Sequence, residues 1–376
     1  MHLNKRILSL VVACVLAAVA QSSVAKEVNT LKLNAAAPAL NLPGVDGKIY
    51  RLSDFADAKV LVVIFTCNHC PTAQAYEQRI IKLHAHYREK GVALIAISPN
   101  DPLAVRLDEL GYSDVGDSFD DMKRHAKRRG FKFPYLYDGE TQRVSTAFGA
   151  IATPHVFIFD EQRRLRYNGR IDDADIKTPK SHDARNAIED LLAGRPVAVP
   201  KTRVFGCSTK WADKRDSAER SVKKWNAEPV ELNKIDAEGL RELAANKTEK
   251  FRLINLWSTT CIPCITELPD FVTVNRMYRR RHFEMITLAT DSPDRQSAVL
   301  EVLRENHVSC KNYIFGNDDR DKLADALDSK WEGPVPYTLL IAPGGEIVRR
   351  WKSEIDPNEL KSEVSIWLGK TYADRK

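Results

Sequence analysis

Two pairs of cysteines at the same spacing are the residues of this 376-residue sequence most suited to chemistry: Cys67 with Cys70, and Cys261 with Cys264. Each pair forms a Cys-x-x-Cys motif between an apolar run typical of a buried strand and a segment with helical spacing of apolar residues. This spacing at a helix start brings both sulfurs within one turn, close enough for a disulfide. The pattern predicts reversible disulfide exchange at two places.

The position of each cysteine within its motif predicts its role. The first sulfur faces the free backbone N–H groups and the positive end of the helix, which stabilise a thiolate. We therefore expect Cys67 and Cys261 to be the nucleophiles. Cys70 and Cys264, one turn further into the helix, are expected to be the resolving thiols.

The residues between the cysteines differ in the two motifs. His69 can donate to a thiolate or favour it electrostatically, whereas Pro263 supplies no charge. Stabilising the reduced form makes a disulfide more oxidising. The first pair is therefore predicted to be the stronger oxidant, and electrons could then pass from the second pair to the first within one molecule.

Exchange with another protein needs a place that holds an extended segment beside the nucleophile. Thr153-Pro154 and Val335-Pro336, each just before a late predicted hairpin, suit this role. A cis proline there would leave adjacent backbone groups free to pair with a partner strand. The cis geometry is inferred from position alone.

The order of predicted elements repeats about 190 residues along the chain. A strand, a motif, a helix and a second strand occur in each half, and a hairpin and a helix follow. With 43% hydrophobic and 29% charged residues, the composition is that of a globular protein long enough for two domains. We predict domains over residues 32–195 and 229–376, joined by a charged linker over 196–228.

The C-terminal half, 229–376, resembles the TlpA-like thiol-disulfide oxidoreductases. The matching residues are Asn255-Leu256-Trp257, the second Cys-x-x-Cys motif, Glu267-Leu268-Pro269 and Val335-Pro336. The resemblance implies that Glu267 tunes the thiols. Thr260 stands just before the first cysteine, where the family usually has tryptophan.

The N-terminal half resembles the peroxiredoxin-like redoxin proteins, which are AhpC/TSA-like and here carry a Cys-x-x-Cys motif. The matching stretches are Phe65–Pro71, Ala152–His155, Gly169–Asp173 and Phe205–Ser208. Together the two resemblances imply an α/β protein with two thioredoxin-like domains, each a central mixed β-sheet flanked by helices. A peroxidatic site would have Pro-x-x-x-Thr-x-x-Cys, which neither cysteine of the first motif has.

The first 25 residues have the pattern of a secretory signal peptide. Lys5 and Arg6 precede an apolar run, and Ser23-Val24-Ala25 provides a small-x-small cleavage site. Cleavage would release a periplasmic or secreted protein, in which disulfides persist. Lipid attachment at Cys14 would instead anchor the protein to a membrane, but the apolar run continues past that cysteine, which favours cleavage after Ala25.

Other types of site are less consistent with the sequence than a redox site. The basic residues that give the formal charge of +6 are interleaved with acidic residues along the chain, so nucleic-acid binding is not expected. The two motifs could instead share a structural zinc ion or form permanent disulfides, although a bridge closing so small a loop would stabilise little. Cys207, inside the predicted linker, could resolve a disulfide from the first motif or be an inert thiol.

The sequence therefore predicts an exported thiol-disulfide oxidoreductase that exchanges disulfides with protein partners and needs no cofactor or metal. A thiol peroxidase with the C-terminal domain as its built-in reductant is the alternative. A third hypothesis is a non-catalytic protein that binds another protein, haem or copper.

Overall fold

The computed structural model describes residues 28–317 and 319–369. Residues 28–200 form eight strands and four α-helices. The strands are β1 (Asn41–Pro43), β2 (Ile49–Arg51), β3 (Val60–Phe65), β4 (Val92–Ser98), β5 (Tyr135–Tyr137), β6 (Ala152–Thr153), β7 (His155–Phe159) and β8 (Leu165–Gly169). The helices are α1 (Pro71–Tyr87), α2 (Phe119–Arg129), α3 (Arg143–Phe148) and α4 (Asp183–Leu192).

The first domain is organised around β3, the central strand of a mixed sheet in the order β5-β4-β3-β7-β8. β3 is parallel to β4 and antiparallel to β7. All six of its residues are buried because both faces of the sheet are covered. Val62 packs with Tyr76 and Ile188 on one face, and Val63 packs with Phe148 on the other. Cover on both faces explains the continuous apolar run in the sequence.

The rest of the chain contains seven strands and six helices within its described residues. The strands are β9 (Cys207–Ser208), β10 (Asn233–Ile235), β11 (Phe251–Trp257), β12 (Phe283–Ala289), β13 (Lys311–Phe315), β14 (Tyr337–Ile341) and β15 (Ile347–Trp351). The helices are α5 (Arg215–Asn226), α6 (Ala237–Ala245), α7 (Ile262–Tyr278), α8 (Gln296–Glu305), α9 (Arg320–Leu327) and α10 (Pro357–Leu368).

The second domain repeats the plan of the first. Its sheet has the order β10-β13-β12-β11-β14-β15, with β11 parallel to β12 and antiparallel to β14. Helices cover both faces: Leu240 and Leu323 pack in one cluster, and Phe271 and Leu360 pack in another. The predicted α/β fold, with a central mixed sheet flanked by helices in each half, is confirmed.

The segment predicted as a linker, 196–228, carries ordered elements. β9 pairs antiparallel with β6 of the first domain, and Arg215 at the start of α5 forms an ion pair with Asp101. At the other end of α5, Trp225 is buried beneath the guanidinium groups of Arg276 and Arg279. The segment that was predicted as a linker from its charged composition thus contacts both domains.

The two domains meet at the C-terminal end of α7, a contact that no sequence pattern predicted. The hydroxyl of Tyr278 donates to the backbone carbonyl of Ser113 at 2.8 Å. The guanidinium of Arg281 donates to the carbonyl of Gly111 at 2.8 Å and lies 4.1 Å from the ring centroid of Tyr112. The loop that follows β4 therefore joins the first domain to the second.

The predicted signal peptide, residues 1–25 with Cys14, lies outside the described residues. Among residues 28–317 and 319–369, no helix combines the length and apolarity needed to cross a bilayer.

Candidate functional site

The second-domain pair sits at the start of α7, as its spacing predicted. Cys261 is the N-cap residue, and its sulfur accepts from the backbone N–H of Cys264 at 3.3 Å. The two sulfurs form a disulfide, with the Cα atoms 5.3 Å apart. Cys261 is half-buried beside Ile262, whose side chain is 78% exposed, whereas Cys264 is fully buried. Only the first sulfur is therefore placed to meet a partner.

Glu267 lies three residues after Cys264 on the same face of α7 and is 3% exposed. Its carboxylate accepts from the side-chain amide of Asn255 at 3.2 Å and from the backbone N–H of Ile355 at 3.3 Å. Burial outweighs these bonds and raises the pKa of Glu267 to about 7. A carboxyl with a pKa near neutrality can exchange protons with the thiols that form when a neighbouring disulfide is reduced.

The predicted partner sites lie beside the cysteines in both domains. Val335 packs against the apolar cluster that contains Cys264 and Trp257. The peptide bonds Thr153–Pro154 and Val335–Pro336 are both cis, as predicted from their positions.

The first-domain cysteines are paired differently from the prediction. Cys70 forms a disulfide with Cys207, and Cys67 is a free thiol. The expected Cys67–Cys70 bridge is therefore wrong for this state of the protein. The physical reason is the pairing of β9 with β6, which brings the Cα atom of Cys207 to 6.1 Å from that of Cys70, within disulfide range.

The helix start also differs between the two domains. α1 begins at Pro71, so Cys70 is its N-cap residue and accepts from the backbone N–H of Ala73 at 3.5 Å. Proline favours the first helical position, which places the helix end one residue after the motif. The expectation that Cys67 lies at the positive end of the helix is therefore wrong, and its environment must come from side chains.

Cys67 lies in a buried pocket between β3 and the edge of β6. Its sulfur is 3.2 Å from the hydroxyl oxygen of Thr153, and the sulfur of Cys70 is 3.6 Å from the carbonyl oxygen of the same threonine. Only 3% of Cys67 is exposed. The predicted residue Thr153 thus contacts both cysteines of the motif.

His69 and Asp117 form a buried pair beside Cys67. Nδ1 of His69 lies 2.6 Å from Oδ2 of Asp117, which also accepts from the side-chain amide of Asn100. The other carboxylate oxygen of Asp117 accepts from the backbone N–H of Asn68. Burial alone would lower the pKa of His69, but the charge of Asp117 and the contact with Cys67 raise it well above its usual value. Burial alone would raise the pKa of Asp117, but His69 and the other donors lower it. The pair is therefore ionised, with the imidazolium next to the thiol.

Asp117 was not predicted from the sequence. It lies 48 residues from His69 in the loop before α2, among other acidic residues, and no spacing singles it out. Its only distinguishing feature in the sequence is that it precedes Ser118, the N-cap residue of α2.

The thiol of Cys67, the imidazole of His69 and the carboxylate of Asp117 place their ligand atoms within 4.8 Å of one another. This donor set is also compatible with a transition-metal ion. A zinc ion shared by the two Cys-x-x-Cys motifs is a different hypothesis and is wrong here, because both motifs contribute sulfurs to disulfides.

Two family models match the chain. The Redoxin model matches residues 32–188, and the AhpC/TSA family model matches residues 226–350. The prediction of two thioredoxin-fold domains in tandem is thereby confirmed.

The curated proteins to which the chain is similar include two named thiol-disulfide oxidoreductase ResA. The one from Halalkalibacterium halodurans is 29% identical over 136 residues, covering 35% of this chain and 70% of that protein. The one from Bacillus cereus is 24% identical over 131 residues, covering 34% of this chain and 68% of that protein.

Solved structures with similarity to the chain include a hypothetical protein from Sinorhizobium meliloti and an uncharacterized conserved protein from Geobacillus kaustophilus. The first is 32% identical and covers 49% of this chain and 97% of its own, with a TM-score of 0.44. The second is 36% identical and covers 49% and 94%, with a TM-score of 0.43. On the family models and the curated relatives, the chain is a thiol-disulfide oxidoreductase of tandem thioredoxin fold, with a Redoxin domain over residues 32–188 and an AhpC/TSA-family domain over residues 226–350.

Proposed function

We propose that the protein exchanges disulfides with protein partners outside the cytoplasm, and that the second domain is the site open to them. The observation that supports this most directly is the asymmetry of the second pair. Cys261 is half-buried beside the exposed side chain of Ile262, and Cys264 is fully buried. A partner disulfide can reach the sulfur of Cys261, and Cys264 can then attack the mixed disulfide that forms.

The exchange proceeds in two steps, starting from the reduced pair. The thiolate of Cys261 attacks one sulfur of a partner disulfide, forming a mixed disulfide and releasing the other partner sulfur as a thiolate. Cys264 then loses its proton and attacks the sulfur of Cys261, which restores the intramolecular disulfide and releases the second partner thiolate. Glu267, with a pKa of about 7, is placed to take that proton.

Trapping tests this proposal. The Cys264→Ala variant of the full chain, incubated with oxidised insulin as a model substrate, should accumulate a mixed disulfide through Cys261, because the resolving thiol is missing. Cys310→Ala is the matched control, since burial raises the pKa of the Cys310 thiol to about 12 and makes it a poor nucleophile. A Cys264→Ala variant that captures no insulin, or a wild-type protein that does not reduce insulin, would contradict the proposal.

Export is proposed on the N-terminal sequence alone. The apolar run and Ser23-Val24-Ala25 support removal of the first 25 residues in a secretory pathway. The mass of the protein recovered from the periplasm or medium of its bacterial expression host should correspond to a chain beginning at Lys26. A lipid-modified chain beginning at Cys14 would show instead that the protein is anchored to a membrane.

We propose that electrons pass between the two domains. The contact between the domains does not by itself provide a path for this transfer. The contact lies at Tyr278, about 21 Å along the axis of α7 from Cys264. The Cys261–Cys264 disulfide is therefore at the end of the helix away from the contact. Transfer to the first domain would require the domains to separate or two molecules to meet.

A thiol peroxidase activity is a second candidate, favoured by one observation: Cys67 is a free thiol beside an imidazolium and the hydroxyl of Thr153. A thiolate that attacks hydrogen peroxide takes one oxygen, becomes a sulfenic acid and releases water after gaining a proton. Rapid sulfenic acid formation at Cys67 in the fully reduced protein would support this activity. Oxidation no faster than that of free cysteine would exclude it.

A further inference from the structure

The segment Phe205–Lys210, which we call the strap, lies across the first-domain site. Its strand β9 pairs antiparallel with β6, so that Cys207 is opposite Thr153. The next bond continues the ladder: the backbone N–H of Thr209 donates to the carbonyl of Ile151 at 3.2 Å. The backbone edge beside the cysteine motif is therefore occupied by the chain itself.

Bonds at the end of the strap hold it in place independently of the disulfide. The backbone N–H of Lys210 donates to the side-chain oxygen of Asn100 at 2.9 Å. Its carbonyl accepts from the side-chain amide of Gln142 and from the backbone N–H of Asp101, both at 2.9 Å. The strap is thus a docked element of the first domain.

Gly206 is what allows the strap to approach β6 so closely. Its φ is +152°, a value that residues with a side chain rarely adopt. A Cβ atom at this position would lie 2.2 Å from the carbonyl oxygen of Thr153. The contact between the strap and the site therefore requires glycine.

An extended protein partner would bind by the same backbone pairing, because added strands gain their affinity from main-chain hydrogen bonds to a free edge. The strap takes this place and presents Cys207 to the motif as a partner would present its own cysteine. Cys67, the free thiol, belongs to the same buried cluster as Cys70, and Cys207 packs against that cluster. The sulfurs of Cys67, Cys70 and Cys207 therefore lie in one cluster, and two of them form a disulfide.

We propose that Cys207 is a third redox-active cysteine and that the strap is an internal substrate of the first domain, bound in place of a partner strand. This inference rests on the proposed exchange chemistry and adds an intramolecular partner to it. External partners reach the first domain only after the strap is released.

The exchange needs no external oxidant or reductant. The thiolate of Cys67 attacks the sulfur of Cys70, the Cys67–Cys70 bond forms, and the Cys70–Cys207 bond breaks. Cys207 leaves as a thiolate and gains a proton from solvent. One disulfide replaces another, and the strap is no longer tethered to the site.

Peptide mapping of the full-length protein distinguishes the two isomers. Trypsin places Cys67 and Cys70 together in peptide 60–79 and Cys207 in peptide 204–210. After acid quenching and alkylation without reduction, the tethered isomer appears as the two peptides joined. The released isomer appears as peptide 60–79 with an internal disulfide and peptide 204–210 alkylated. We expect the wild-type protein to contain both isomers.

Gly206→Ala tests the docking without changing a cysteine. The added Cβ should lower the ratio of tethered to released isomer about tenfold, because it meets the carbonyl of Thr153. Gly194→Ala is the matched control: that glycine also has a positive φ of +70°, but no atom lies within 4 Å of the added Cβ. Cys67→Ser should leave only the joined peptides, which checks the result if Gly206→Ala folds poorly.

The outcomes separate this inference from the proposed function. A Cys207 that is alkylated under all conditions, or a tethered isomer that stays the sole form in the wild-type and Gly206→Ala proteins, overturns the inference. Insulin reduction by the same preparations then shows that the proposed function at Cys261 still stands. Isomer exchange in preparations that fail to reduce insulin would overturn the proposed function instead.

Discussion

Nδ1 of His69 lies 2.6 Å from Oδ2 of Asp117, in a site where both side chains are almost fully buried. The ion pair contributes stability at neutral pH. That contribution is lost when the pH rises through the raised pKa of His69 or falls through the lowered pKa of Asp117. Asp117 acts through His69, so its role is to position and charge the imidazole next to Cys67.

Replacing Asp117 with asparagine should slow alkylation of Cys67 in the fully reduced protein about tenfold, equivalent to about 1.4 kcal/mol in the activation free energy. The physical reason is that a neutral amide no longer keeps His69 protonated. NMR titration should show the pKa of His69 moving down in the variant, a change that a merely structural defect would not produce. Asp120→Asn, on the exposed face of α2, is the control and should leave the rate unchanged. Equal rates in all three proteins would contradict the role of Asp117.

The predicted difference in redox potential between the two cysteine pairs can be measured only when the first domain forms a single, defined disulfide. When Cys70 is joined to Cys207, Cys67 is a thiol before and after reduction, so the effect of His69 cancels. The Cys207→Ser variant restricts the first domain to a Cys67–Cys70 disulfide. In that background the first couple should be more oxidising than Cys261–Cys264.

His69→Ala in the Cys207→Ser background should lower the potential of the first couple by about 30 mV, a tenfold change in its equilibrium constant. Equilibration with glutathione buffers and peptide mapping gives both potentials in one full-length chain. His182→Ala, an exposed histidine of the same domain, is the control. A first-domain potential at or below that of the second would defeat the prediction made from the motif sequences.

Glu267 should make the stability of the second domain depend on pH. Its folded pKa of about 7 is above the ordinary value, so the folded state holds a proton that the unfolded state has released. Stability is highest below the ordinary pKa and falls as the pH rises to about 7, by at most about 1.4 kcal/mol per pH unit. Chemical unfolding at pH 5, 6 and 7 measures this slope.

The Glu267→Gln variant should flatten that slope and remove an inflection near pH 7 from the rate of insulin reduction. Glu301→Gln, an exposed glutamate of α8, should keep both features. An unchanged pH profile in Glu267→Gln would show that this carboxyl does not take part in proton transfer with the second pair.

Arg281 should couple the unfolding of the two domains. Its guanidinium donates to Gly111 of the first domain and to the carbonyls of Leu368 and Gly369 at the end of α10. We expect Arg281→Met to lower stability by about 1–3 kcal/mol and to separate a single thermal transition into two. Arg304→Met, on the exposed face of α8, should change neither. Retention of one transition in Arg281→Met would mean that other contacts hold the domains together.

The regular elements around the motifs were predictable because their signals are local. The apolar run before the first motif became β3, and the predicted hairpin near residues 155–167 became β7 and β8. In both halves the central strand leads directly to the cysteines, as the element order indicated. The alternation of apolar and polar residues and the length of apolar runs depend on which residues are buried. Residue type indicates burial well.

The pairing of sulfurs was not predictable because it depends on contacts between distant parts of the chain. Cys207 is 137 residues from Cys70, and spacing alone does not select between partners. The segment around it was predicted as a linker on its charge, yet Lys210 is buried and bonded to the first domain. Asp117 was missed for the same reason, since only the folded loop brings it to His69.

The burial of Cys67 has a kinetic consequence. A solute can react with this thiol only during moments when the first domain opens, so the reaction rate should level off as the reagent concentration rises. Cys261, which is half-buried, should instead react in proportion to concentration once its disulfide is reduced. The plateau reached at Cys67 would then report how often the first domain opens, a frequency set by the protein and not by the reagent.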